Sequence, residues 1–253
     1  TIQAEKEAGN SFKIINYQKI VNCDLFKNLT LGFDPKIFTS EQIKKFFKKY
    51  NNVKIIEQNL VDQISKKKRI SGKPFFSLED KIVGEDYKKK ILKIKKFLKK
   101  NNSDYIFISA PENVAWLLNI RGFDNPNSPI PNCRLLINDE NKIYLISEFK
   151  NLKRLIKEKK IKKQQIVEPK NFKIFVDKLK NKKILIDKKS CSIFYENLFK
   201  KNNKIFKDED PIYFLKSIKN KQEIKNTINS HILDGVALSK FLYWIQKVNK
   251  NNI

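Results

Sequence analysis

The sequence predicts an α/β protein built from two small domains in succession, and three features carry that prediction. Short strand-like apolar runs alternate with helix-spaced apolar stripes, and one aperiodic stretch divides the alternation in two. In addition, 40% apolar residues, with 11% aromatics, can fill two cores in 253 residues.

The elements come in this order. Leu29-Thr-Leu-Gly-Phe reads as a buried strand that Asp34-Pro35 ends. Thr39-Ser40-Glu41 offers an N-cap and a first-turn acid for a helix to about Tyr50, and Val53-Lys-Ile-Ile-Glu is a second strand. This β-α-β order implies a parallel or mixed sheet over residues 1–64. Residues 65–84, with the basic cluster Lys66-Lys67-Lys68-Arg69, Gly72, Pro74 and Gly84, lack periodicity and read as a linker. From Asp86 a helix over Tyr87 to Lys100 places Ile91, Ile94, Phe97 and Leu98 on one face. Then come a strand from Tyr105, a helix from Pro111 to Leu118, and an antiparallel pair of Leu135-Leu-Ile with Ile143-Tyr-Leu-Ile around the turn Asn138 to Asn141. Helices over Asn151 to Lys159, Asn171 to Leu179 and Ser190 to Lys201, with strands at Ile166-Val167 and Lys183 to Asp187, complete a second domain, 85–210. Residues 211–253 differ. A long helix opening at Gln222-Glu223 carries a stripe of Ile224, Ile228, Ile232, Val236, Leu238, Phe241, Leu242 and Ile245, a face that one helix cannot bury by itself.

The net charge of +27 invites a polyanion-binding reading. The basic residues are nearly all Lys, spread through every segment beside Asn and Ile, with no Arg-rich or aromatic-interleaved stripe, so a solvated surface of drifted composition is preferred and nucleic acid is not expected as a partner. Cys23, Cys133 and Cys191 are far apart, which indicates neither a zinc knuckle nor a disulfide framework and fits a reducing cytoplasm. No run approaches the roughly 20 apolar residues that cross a bilayer. The chain has no Met and trails off after an apolar helix, so a segment of something longer is expected.

Catalytic constellations are scarce. His231 is the only histidine, so no two-His metal site can be built, and it is expected to be a partly buried helix residue on or beside the apolar stripe. There is no Gly-rich phosphate loop. The acid pairs Glu79-Asp80 and Glu85-Asp86 and the run Asp208-Glu209-Asp210 are expected to cap helices or balance lysines. One stretch stands apart: Pro111-Glu-Asn-Val-Ala-Trp-Leu-Leu-Asn-Ile-Arg-Gly-Phe-Asp, with Pro126, Pro129 and Pro131 after it. Prolines reduce the entropy of ordering a loop, as the rim of a site requires. Arg121 offers a planar fork of donors to a carboxylate or to carbonyls, or pairs with Asp124 to hold the turn.

These residues carry a resemblance. Asn113-Val-Ala-Trp-Leu-Leu-Asn-Ile-Arg-Gly-Phe-Asp with its proline loop resembles the opening of the second domain of the Xaa-Pro aminopeptidase (aminopeptidase P) family, three-domain type. In matching order, Asn59-Leu-Val-Asp resembles the end of that family's first domain. Ile218-Lys-Asn-Lys-Gln-Glu-Ile and Ser230-His-Ile-Leu-Asp-Gly-Val-Ala-Leu resemble the start of its catalytic domain, and Thr1 to Ala8 resembles the segment just after its Asp-Gly-Arg-Tyr signature.

The resemblance implies two creatinase N-terminal-like α/β domains, with mixed sheets flanked by helices, plus the first helix of a truncated pita-bread domain from residue 211. It implies a metallo-exopeptidase that removes the residue before proline from peptides, with two divalent ions, Mn²⁺ by family habit, in the complete enzyme. None of the five family ligands matches a position here, so this segment alone is expected to bind no metal and to hold no catalytic residue. Trp116, Arg121 and Asp124 are the expected rim of the substrate channel. A homodimer in the cytoplasm, without membrane attachment, is expected for the complete protein. The alternative is a non-enzymatic creatinase-like binding module that uses its basic surface.

Overall fold

The computed structural model describes residues 2–16, 19, 27–47, 52–65, 73–125 and 127–248. Cys23, the basic cluster at 66–69, Gly72 and Pro126 lie outside them. Along the chain run α1 (Ile2–Ala8), β1 (Leu31–Phe33), α2 (Ser40–Phe47), β2 (Val53–Ile55), α3 (Leu60–Ile64), β3 (Phe76–Ser77), α4 (Asp80–Val83) and α5 (Tyr87–Lys100). Next come β4 (Tyr105–Ile108), α6 (Pro111–Leu118), β5 (Ile120–Arg121), β6 (Arg134–Asn138), β7 (Ile143–Ile146), α7 (Phe149–Lys157) and β8 (Ile166–Val167). The last are α8 (Phe172–Asp177), β9 (Lys183–Asp187), α9 (Ile193–Lys200), β10 (Lys204–Asp208), α10 (Pro211–Ser217) and α11 (Lys221–Lys247). The second half of the stretch read as a linker thus carries β3 and α4, with Phe75 fully buried.

The chain divides into two compact units, residues 1–70 with 173–209, and 71–172 with 210–253. In the first unit β1 and β2 pair in parallel with Leu31 opposite Val53, and α2 connects them. That helix begins on a capping box: Gln42 N–H donates to Thr39 Oγ1 (3.2 Å), and Thr39 N–H donates to Gln42 Oε1 (2.8 Å). β9 and β10 repeat the plan, parallel with Lys183 opposite Lys204 and α9 between them. Backbone bonds from Ile193 to Phe38 and from Phe194 to Pro35, each 2.9 Å, join the two β-α-β pieces, and Ser40 Oγ donates to Glu196 Oε2 at 2.6 Å.

In the second unit β4, β6, β7 and β8 lie side by side in a mixed sheet. β4 and β6 are antiparallel, β6 and β7 form the hairpin expected around Asn138 to Asn141, and β8 joins β7 in parallel. Ile106, Ile108, Leu135, Leu136 and Leu145 are fully buried, as are Ile94 and Leu98 of α5 and Leu117 of α6. Each such side chain contributes about 1.5–3 kcal/mol of transfer free energy. α5 has the limits its periodicity predicts, with Asp86 Oδ1 accepting from Lys88 N–H (3.0 Å) as its N-cap. The remaining paired acids are occupied by lysines or caps: Glu79 by Lys81 (2.7 Å), Glu85 by Lys93 (2.7 Å), and Asp210 as the N-cap of α10.

The loop after β5 is packed against its own base. Gly122 N–H donates to Pro129 O (3.1 Å), and a Cβ on Gly122 would stand 2.8 Å from Pro131 Cα and 2.9 Å from the Phe75 ring. Backbone cannot retreat as a flexible side chain can. Gly122→Ala is therefore expected to destabilise the protein by about 1–3 kcal/mol in denaturant unfolding; a loss below ~0.5 kcal/mol would show that the loop gives way without strain.

Candidate functional site

Two of the three residues that the sequence singles out for a site, Trp116 and Arg121, line a cleft of about 280 Å³ in the second unit, together with Leu78, Ile82, Val83, Lys90, Asn119, Lys219, Glu223, Asn226 and Thr227. Its centre is Lys90. The residue is 1% exposed, because its place four residues before Ile94 and eight before Leu98 puts it on the apolar face of α5. Its ammonium donates to Trp116 O (2.9 Å) and to Asn119 Oδ1 (2.7 Å), and sits 4.0 Å from the centroid of the Trp116 ring. Burial lowers its pKa to about 8, against the upward pull of Glu223 and Glu85 and with a further push from Arg121.

Asn119 holds the cleft's corner. It ends α6 in the left-handed region (φ 53°, ψ 45°), which Asn tolerates better than most residues. Its Nδ2 donates to Glu85 O (2.8 Å), and its carbonyl accepts from Leu78 N–H (2.8 Å). One residue thus ties α5, α6 and β3.

Glu223 closes the opposite side. Asn220 and Glu223 form a capping box at the start of α11: Glu223 N–H donates to Asn220 Oδ1 (2.9 Å), and Asn220 N–H donates to Glu223 Oε2 (2.9 Å). The second oxygen, Oε1, accepts from Trp116 Nε1 (3.1 Å). Asn220 Nδ2 and Asn226 Nδ2 donate to Val83 O and Ile82 O, each at 2.8 Å. Gly84, at φ 74° after α4, lets the two segments meet, since a Cβ there would stand 2.5 Å from Asn220 Oδ1.

Of the three expected rim residues, Trp116 and Arg121 line this cleft and Asp124 does not. Asp124 Oδ2 accepts from Asn132 N–H (2.6 Å) and so folds the proline loop. No ion pair joins it to Arg121, whose Nη1 donates to Ala115 O (3.3 Å) and Ile120 O (2.9 Å). Burial pushes the Arg121 guanidinium below its ordinary range. Lys90, Asn119 and Glu223 escaped the sequence reading, although a lysine on an apolar stripe and an Asn-x-x-Glu helix start are both legible signals.

Beneath the cleft, buried Asn113 donates to Asp210 Oδ2 (2.7 Å) and accepts from Lys216 Nζ (2.6 Å), which fastens α10 to α6. Beyond its first turns α11 stands free. His231 is exposed, not partly buried, because the whole apolar stripe around it finds no packing partner among the described residues; Ile228, Ile232, Val236 and Leu242 are all at least half exposed. Cys133 and Cys191 are buried, and burial raises the thiol of Cys133 well above the usual range. Among the described residues no three His, Cys, Asp or Glu side chains gather as metal ligands, so they do not fit the dinuclear centre that the family resemblance implies, and no step through a metal is assigned to them. No helix among them is long and apolar enough to cross a membrane. A larger surface hollow of about 750 Å³ in the first unit is lined only by Lys180, Lys200, Lys201, Lys204 and three asparagines, without an aromatic platform on which bases could stack.

Lys90 gives a signed pH dependence. Its folded pKa lies below its ordinary 10.5, so between about pH 8 and 10.5 the unfolded chain binds more protons at this residue, and the folded state gains stability as pH rises. In parallel denaturation series, the wild type should gain on Lys90→Met across that window by up to about 1.4 kcal/mol per pH unit. A constant difference would mean that the lysine titrates as if in water.

Comparison with known proteins places this geometry. Residues 65–223 match the family described as the creatinase/prolidase N-terminal domain. Xaa-Pro aminopeptidase 1 of Dictyostelium discoideum is 28% identical across 97% of this chain, and Xaa-Pro aminopeptidase ApepP of Drosophila melanogaster is 29% identical across 98%. The chain spans 42% and 43% of those relatives' lengths. The crystal structure of X-prolyl aminopeptidase from Caenorhabditis elegans, described as a cytosolic enzyme with a di-nuclear active site, superposes with a TM-score of 0.77 and 23% identity over 94% of this chain and 40% of its own. The shared α/β fold, the ordered match along nearly the whole chain and the matched family residues lead to one conclusion: the chain belongs to the creatinase/prolidase N-terminal domain family and is homologous to Xaa-Pro aminopeptidases.

Proposed function

We propose that this chain forms the non-catalytic N-terminal part of an Xaa-Pro aminopeptidase, a metallo-exopeptidase that removes the residue preceding proline from peptides. The observation that carries the reading is α11. Its first turn is fastened by Asn220, Glu223 and Asn226, while its apolar stripe lies open along the rest of the helix. A stripe of this length needs a packed partner. A catalytic domain further along the chain, as in relatives more than twice as long, supplies one. A free-standing binding module with a basic surface leaves the same stripe in water, which disfavours it. In this reading residues 1–64 are the C-terminal part of the first scaffold domain, residues 85–210 form the second, although 173–209 pack with the first unit, and residues 211–253 open the catalytic domain.

The five ligands for two divalent ions, which we assign as Mn²⁺, would then lie in the catalytic domain, where such a pair would supply Lewis-acid activation of water for hydrolysis of the peptide bond before proline. The enzyme would work in the cytoplasm as a homodimer. Trp116 and Arg121 are the proposed substrate-channel rim, with Asp124 holding the loop beside them.

The test is to express the complete protein and measure release of the first residue from Xaa-Pro peptides. Activity that is lost on chelation and restored by Mn²⁺ is expected, and Arg121→Ala should raise KM or lower kcat. No release from any Xaa-Pro peptide by the metal-loaded protein overturns the activity. Unchanged kinetics with lowered thermal stability in Arg121→Ala would return that residue to a purely structural role.

A further inference from the structure

We propose that the cleft between Lys90, Trp116 and Arg121 binds a small monocarboxylate carrying an apolar group, with Arg121 as the carboxylate anchor. The proposal stands on the cleft itself and does not depend on the peptidase activity proposed above.

The free valence lies on Arg121. Both of its hydrogen bonds use Nη1, to Ala115 O and Ile120 O, so the Nε and Nη2 edge has no partner among the described residues. That edge presents two parallel N–H groups, the spacing that a carboxylate accepts in bidentate fashion. The backbone carbonyls hold the plane of the fork without neutralising it.

The other walls set the size and charge of the ligand. Leu78, Ile82 and Val83, with the Trp116 ring, give an apolar side against which an alkyl or aryl group can lie. A volume of about 280 Å³ is small for a ligand site. Lys90 and Lys219 add positive charge. Glu223 opposes them with a fixed negative charge, because both its oxygens are held, by Trp116 Nε1 and by Asn220 N–H. Glu223 offsets only one of these cations, so the cleft attracts an anion, and its apolar side favours an acid that carries an alkyl or aryl group over inorganic phosphate. Free organic acids and the C-terminal residue of a peptide share this chemistry.

The experiment uses this 253-residue chain carrying Trp244→Phe, which leaves Trp116 as its single tryptophan. Its fluorescence is recorded while hexanoate, as the free acid, or N-acetyl-leucine, as the mimic of a peptide terminus, is added, with N-acetyl-leucinamide and inorganic phosphate as controls. A saturable change is expected with the acids alone, and the tighter of the two identifies the source. Arg121→Gln and Arg121→Lys should each raise Kd at least about tenfold, the lysine variant because it keeps the charge and loses the fork. The proposal is overturned by the absence of a saturable response to either acid, by equal binding of phosphate or the amide, or by an unchanged Kd in whichever arginine variant retains the parent melting temperature.

Discussion

A lysine ammonium sealed inside a protein must be paid for by its surroundings, and in this chain the surroundings are the site. Lys90 is 1% exposed, and removing its charge from water is costly unless each of its protons finds an acceptor. Trp116 O and Asn119 Oδ1 accept two of them, the indole lies under the charge, and Glu223 stands close enough to favour the protonated form. Those acceptors come from the last turn and C-cap of α6, and the compensating carboxylate comes from the first turn of α11. Satisfying one ammonium therefore fixes how α5, α6 and α11 meet. The α6 C-terminus has to expose its carbonyls, and Asn119 has to turn into the left-handed region, for the acceptors to point at Nζ.

The same constraint gives the chain its direction. A helix of 27 residues starts from a base secured by side-chain bonds to Val83 O, Ile82 O and Trp116 Nε1, and carries an apolar face away from that base. The acid that caps the helix is also the acid that orients the tryptophan of the motif singled out in the sequence. Cap and cleft are one arrangement.

Much of this was legible in the sequence where periodicity was strong. α5, β4, β7 and β9 lie close to where their apolar spacing puts them, because each buries one regular face. β3 and β5 are two residues long and take their meaning from each other, not from local pattern, and β10 (Lys204 to Asp208) carries charge at both ends of a largely half-exposed strand. α10 was missed although Asp210-Pro211 is a helix start. Trp116 and Arg121 were found by composition, since they stand out against a lysine-rich background. Lys90 was not, for the converse reason: in a helix with seven other lysines, one more reads as solvated surface, and only its alignment with Ile94 and Leu98 separates it from the rest. Asp124 was grouped with Arg121 by proximity in sequence, but β5 ends between them and its carboxylate turns to Asn132 N–H.

The most direct test of the Lys90-centred account is an NMR titration of the protein with its lysines labelled at Cε, in which the Lys90 signal is assigned by its absence in Lys90→Met. Lys90 is expected to titrate near pH 8. If Lys90 instead titrates near its ordinary value of 10.5, its ammonium is in contact with water, and the cleft is not organised around a buried charge.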